Sequence, residues 1–187
     1  MTLKMRKNAC VILILILLGN QIYAQSDDGM NVTAEIRLIT DVPYLPELSG
    51  DSTYWNLVIQ GKSIVPSLIK DIANTQPTLI PIPNYGKNYC IGDIAFSILC
   101  DIIHGIPIID FILNKKDYPT TEDDTYLSFV NYNKRNRSYL KRQLKQWYKA
   151  NEENLIWVTD TVPKKTSANW PFALKQNPAQ GYYKFSP

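Results

Sequence analysis

The chain has 187 residues, with 20 Lys and Arg against 17 Asp and Glu. Three of those cations, Lys4, Arg6 and Lys7, lie within residues 1–24, which hold no acid, so residues 25–187 balance at 17 against 17. A near-neutral domain lacks the surplus of Lys and Arg that a nucleic-acid surface needs, and its 163 or so residues suffice for one domain with a real core.

Residues 1–24 read as a secretory signal peptide. The three cations precede an uncharged apolar run of ten residues, 9–18 (ACVILILILL), which Gly19 and Asn20 break. At about 1.5 Å per residue such a run covers roughly 15 Å, half of a ~30 Å hydrocarbon core, too short for a permanent span. Cleavage is expected after Ala24, with Ile22 at the −3 position, and Cys10 lies inside the apolar run without a lipobox. The expected location is therefore the periplasm or the extracellular space.

Residues 25–50 read as a flexible or extended N-terminal arm. Residues 25–31 are polar, and 32–42 (VTAEIRLITDV) alternate in part like a short strand. Pro43 and Pro46 then bar regular structure. Asp51, Ser52 and Thr53 are N-cap types ahead of a short helix carrying Tyr54, Trp55, Leu57, Val58 and Ile59, which Gly61 ends. Ser63 is expected to cap a second helix with Val65, Leu68, Ile69 and Ile72 on its stripe and Pro66 in its first turn. The two helices form a hairpin. Three prolines at 77, 81 and 83 and the turn pair Tyr85-Gly86 make residues 76–88 extended. With Leu79, Ile80 and Ile82 this segment is a strap over the core or the floor of a binding groove.

Residues 89–105 (YCIGDIAFSILCDIIHG) hold the strongest pattern. Ile91, Ile94, Ala95, Ile98, Leu99, Ile102 and Ile103 keep helical spacing for about four turns. Asp93 meets the helix dipole in the first turn, Gly105 marks the end, and His104 is placed to cap the last carbonyls. A short helical run follows at 106–114, a polar turn at 115–124, and a further short helix at 125–132. Residues 137–151 form an amphipathic helix with Tyr139, Leu140, Leu144, Trp147 and Tyr148 inward and Lys141, Arg142, Lys145 and Lys149 outward. Residues 155–158 (LIWV) read as a buried run or an edge strand, and the helical domain spans 51–160. The tail, 161–187, reads as irregular and proline-rich yet carries Trp170, Phe172, Tyr182, Tyr183 and Phe185, so it is expected to pack back on that domain.

Chemistry-bearing motifs are sparse. Cys90 and Cys100 on one continuous helix would stand about 15 Å apart, beyond the reach of a disulfide, and read as inert thiols. His104 is the single histidine and has no partner motif. Neither a metal-ligand set, a nucleophile elbow nor a phosphate-binding glycine loop is evident, so no catalytic residue, metal or cofactor is assigned. Glu122, Asp123 and Asp124 lack calcium-loop spacing. Lys134, Arg135, Arg137, Lys141, Arg142, Lys145 and Lys149 put seven cations in sixteen residues, a solvated face partly balanced by Glu152 and Glu153, or an electrostatic contact surface.

The order Trp55…Gly61…Val65-Pro66-Ser67-Leu68-Ile69, then Ile91-Gly92-Asp93-Ile94-Ala95…Gly105-x-Pro107, then Trp147-Tyr148…Asn151 and Leu155-Ile156-Trp157, resembles the small helical HEAT-like proteins exported by Bacteroidetes-type bacteria. The resemblance covers roughly residues 53–157. It implies a mainly α, compact HEAT-like helical-hairpin domain and is nearly silent about activity. Too few repeats are present for an extended solenoid. The expected function is that of a non-enzymatic protein-interaction domain, in its sharpest form an immunity-type inhibitor of a secreted toxin. Tyr85, Tyr89, Asp93 and Trp157 are the expected partner anchors. The alternatives are an envelope hydrolase using His104 and scattered acids, and a membrane-surface adaptor using the basic helix 134–149.

Overall fold

The computed structural model describes residues 31–43, 50–83, 85–119, 126–159 and 180–186. The chain divides into two units, Met1–Met30 and Asn31–Pro187, and every described residue belongs to the second. The signal peptide and its cleavage site lie outside the described residues. The second unit is mainly α, with seven α-helices and two small sheets among the described residues.

The helix α4 (Ile91–Ile102) occupies the centre. Ile91, Ile94, Ala95, Ile98, Leu99 and Ile102 are all buried, and α1 (Val32–Leu38), α2 (Ser52–Ile59) and α3 (Val65–Asp71) pack around them. A strip this apolar has no stable alternative to an all-round covering. The start of α4 approaches α3 so closely that only a glycine fits. A Cβ on Gly92 would stand 2.4 Å from the Ile72 carbonyl oxygen, while the Gly92 N–H donates to the Asn74 carbonyl at 2.9 Å.

Three local expectations are corrected. Residues 32–38 are a helix, not a strand or extended arm. Val32, Ile36 and Ile39 stand at i, i+4 and i+7 and are buried, and the Asn31 side chain accepts from the Ala34 N–H at 3.2 Å. Burial on α4 overrides the β-branched, half-alternating sequence. Ser63 does not cap α3; its hydroxyl donates to the Gln60 carbonyl at 2.9 Å. It thereby braces the 3₁₀ turn Gly61–Ile64, which Gly61 opens at φ +60°. The central helix stops at Ile102 rather than running to Gly105. Ile103 keeps its apolar contact from an extended backbone, because Ile103–His104 form strand β3.

Residues 76–88 are extended as expected, as the hairpin of β1 (Pro77–Pro81) and β2 (Asn88–Cys90). Ile80 and Ile82 are buried on the core, whereas Leu79 is 96% exposed. Helix α5 (Ile108–Leu113) and α6 (Tyr126–Tyr132) follow, and both pack on α7 (Lys134–Asn151), which also contacts α3. Strand β4 (Leu155–Thr159) is an edge, with order β3-β5-β4 in its sheet. The central strand β5 (Gly181–Phe185) runs parallel to β3 and antiparallel to β4. The aromatic end of the chain thus folds back on the body with Tyr183 and Phe185 against the core, but over 181–185 it is a strand rather than irregular, because β3 and β4 pair with it on both sides. Residues 160–179 lie outside the described residues.

Candidate functional site

The polar centre of the interior forms where the N-terminus of α4 meets α6 and α7. Asp93 Oδ2 accepts from the Cys90 N–H at 2.9 Å, so the carboxylate closes the first turn of its own helix. Its other oxygen, Oδ1, accepts from Arg137 Nη1 at 2.8 Å and from the Tyr126 hydroxyl at 3.1 Å. Arg137 Nη1 also donates to the Tyr126 hydroxyl oxygen at 3.3 Å. The Asp93 and Arg137 side chains are only 4% and 7% exposed, and the Tyr126 ring stacks on Phe96 at 3.8 Å. Carboxylate and hydroxyl are satisfied here and the guanidinium meets its counter-ion, which is what keeps charge in a nearly dry interior.

This environment sets the protonation of its members. Burial first, then the nearby Asp93 carboxylate, pushes the Tyr126 hydroxyl well above its ordinary value. The same two causes push the Cys90 thiol up to about 11, so at neutral pH it is protonated and a poor nucleophile. Burial works against the Arg137 charge, but Tyr126 and Asp93 outweigh it and the guanidinium is raised further. The arrangement holds charge in place; it does not poise a proton for transfer near neutral pH.

Beside the pair lies a cavity of about 240 Å³. The hairpin contributes Lys87 and Asn88, α6 contributes Asn131, and α7 contributes Lys134 and Arg137. A wider groove of about 690 Å³ between the end of α5 and α7 carries Lys115, Lys116, Arg135 and Arg142 with Asp117.

The four expected partner anchors do not form one surface. Tyr89 and Asp93 are buried and belong to the interior, where Asp93 spends both oxygens on internal donors. Tyr85, at 44% exposure, lies between β1 and β2, while Trp157, at 46%, lies on β4 of the other sheet and meets Tyr183 edge-on at 5.1 Å. His104 is not a helix cap, because the helix has ended before it; its ring stacks on Tyr182 at 3.8 Å. Cys90 and Cys100 are free thiols, and Cys100 is pushed up to about 12 by burial and then by Asp101.

The basic run divides. Arg137 turns inward and Lys141 donates to the Lys70 carbonyl at 2.7 Å, whereas Lys134, Arg135, Arg142, Lys145 and Lys149 remain exposed. Among the described residues no ion pair joins this run to Glu152 or Glu153. Glu122, Asp123 and Asp124 lie outside the described residues.

Sequence reasoning missed Tyr126 and Arg137 as partners of Asp93. A signal for Arg137 existed. It falls at i−3, i−7 and i−11 from Leu140, Leu144 and Tyr148, a cation on the buried stripe of an amphipathic helix. Such a residue requires an acid in the interior, and Asp93 in the central motif is the natural candidate. Tyr126 carries no comparable mark.

Among the described residues no helix is long and apolar enough to cross a membrane. No family model, curated protein or solved structure matches the chain.

Proposed function

We propose that this is an exported, non-catalytic binding domain of HEAT-like type that recognises another protein through its β1–β2 hairpin. The carrying observation is the hairpin's two-sidedness. Ile80 and Ile82 fix it to the core, while Leu79 points fully into solvent at 96% exposure and Tyr85 stands half out of the body. An apolar residue presented from an anchored hairpin offers contact area with little further ordering on association. The signal-like residues 1–24 and the V-P-S-L-I and I-G-D-I-A segments on α3 and α4 support the export and HEAT-like parts of the reading. A binding role rather than turnover is supported by the site chemistry, in which Asp93 is saturated, Cys90 is protonated and His104 is stacked on Tyr182.

A photo-crosslinking residue at position 79, expressed in the native host, tests this. The expected result is one predominant protein adduct that weakens at least tenfold when Tyr85→Ser is added. A pattern identical to that from the exposed position 149 on α7 would overturn it.

A further inference from the structure

The buried ion pair uses one end of the Arg137 guanidinium and leaves the other. Nη1 serves both Asp93 and Tyr126, whereas Nε and Nη2 donate to no described residue. Among the described residues no wholly buried side-chain nitrogen or oxygen lacks a partner. The unused donors must therefore have an opening, although the side chain as a whole is only 7% exposed. The opening that Arg137 lines is the cavity of about 240 Å³.

The identity of the unused atoms matters. Nη1 lies on the Cδ side of the guanidinium, so Nε–H and the near N–H of Nη2 form its side-on fork. These two donors are parallel and spaced to match two oxygens of one carboxylate or phosphate. Lys87 from the hairpin and Lys134 from α7 line the same cavity, and Asp93 is the acid on its described wall. Three cations thus face one carboxylate that is already engaged. A positive potential in a concave site concentrates anions. The volume lies below the roughly 300–1,000 Å³ of pockets that enclose drug-sized ligands, which favours a small guest.

The geometry points to a binding site for a small free oxyanion, one carboxylate or phosphate group held side-on by Nε and Nη2 of Arg137 and flanked by Lys87 and Lys134. Asp93 acts as a positioning residue: by holding Nη1 it turns the fork toward the cavity. Tyr126, which donates to the same Asp93 oxygen, fixes the carboxylate in turn. The site is independent of the docking of a protein on Leu79 and Tyr85.

Isothermal titration of the purified protein at low ionic strength tests the site, with acetate, succinate and inorganic phosphate as probes and chloride as the control anion. Because Arg137→Lys removes the fork from a buried pair and endangers folding, the deciding variant is Lys87→Ala with Lys134→Ala, both exposed positions. Lys116→Ala with Arg142→Ala, in the wider basic groove, reports unspecific attraction. The expected result is one saturable site for at least one oxyanion and none for chloride. The cavity pair should weaken it tenfold or more and the groove pair should leave it unchanged. Preference among the three probes distinguishes a carboxylate ligand from a phosphate. Absence of saturable binding, indifference to the cavity pair, or equal loss in both pairs would each overturn the site. None of these results bears on crosslinking at position 79, so the two readings fail separately.

Discussion

Asp51 and Asp93 each close the N-terminal end of a helix, one at the edge of the molecule and one in its interior. Asp51 precedes α2 and accepts from the Thr40 N–H and hydroxyl, the Asp41 N–H and the Tyr54 N–H. All its partners are neutral. Burial pushes its carboxyl up, but the amides of Thr40 and Tyr54 lead a set of hydrogen bonds that outweigh this and hold it below 3.8. Asp93 has one backbone donor and one hydroxyl, and it faces a guanidinium. Half-buried, Asp51 is held by neutral dipoles; Asp93, withdrawn almost wholly from water and with one backbone donor, is held by a formal counter-charge. The reach differs as well. Asp51 ties the chain after α1 to the start of α2, a local closure, whereas Asp93 ties α4 to α7 across the fold.

Breaking the interior pair gives the largest expected effect. Arg137→Ala strands a buried carboxylate and Asp93→Ala a buried guanidinium, each at about 3–5 kcal/mol of stability. Replacing both with neutral residues of similar size, as in Asp93→Asn with Arg137→Met, should recover part of that loss, because the amide oxygen still accepts from an internal donor. Urea unfolding checks this through the midpoint at constant slope. If the single variants lose less than the cap variant Asp51→Ala, the distinction between the two aspartates collapses.

Gly92→Ala sharpens the comparison by moving the helix end that carries Asp93. The new Cβ would meet the Ile72 carbonyl at 2.4 Å and those of Asp71 and Asn74 at 3.0 Å. These are backbone atoms of α3 and its C-terminal turn, so α4 has to shift. Overpacking of this kind costs about 1–3 kcal/mol. Because the shift also lengthens the contact to Arg137, the effect should fall short of additive with Arg137→Ala, by about 0.5 kcal/mol or more in a double-mutant cycle.

The same contrast explains what the sequence shows and what it conceals. Asp51 is legible, since an N-cap type followed by an apolar run needs only neighbours in sequence to be recognised. Helix α4 is legible for a similar reason, its stripe being periodic and unbroken. The role of Asp93 is half legible: its place in the first turn is local, but its partners on α6 and α7 are set by packing. The helix at 32–38 is hidden because its seven residues, VTAEIRL, mix β-branched and polar types and fit two periods until the face of α4 selects one. The end of α4 is hidden because Ile102 and Ile103 are equally apolar, and a strand more than 70 residues downstream captures the second through the pairing of Ile103 with Tyr183. The inward turn of Arg137 is concealed by its company, since five of the other six cations of the run are exposed. Tyr85 and Trp157 read as surface aromatics and are so, but nothing local assigns them to separate sheets.

Asp51→Ala gives the smallest expected effect and the most direct test of what neutral donors achieve. Loss of an N-cap carboxylate costs about 0.5–2 kcal/mol, and Asp51→Asn should lose less because an amide oxygen still accepts from the Tyr54 N–H. The pH dependence follows from the sign of the shift. The folded carboxyl titrates below 3.8, so the unfolded state binds its proton first as pH falls. The contribution is fully present above the unfolded value and disappears as pH passes down through the folded one. Wild type and Asp51→Ala should therefore differ by a constant amount from pH 7 to about 5 and converge in more acidic solution. Chemical unfolding at a series of pH values reads this directly. A difference that persists unchanged below the folded titration would mean that the hydrogen bonds survive protonation, and that charge on Asp51 contributes nothing beyond the shape of its oxygens.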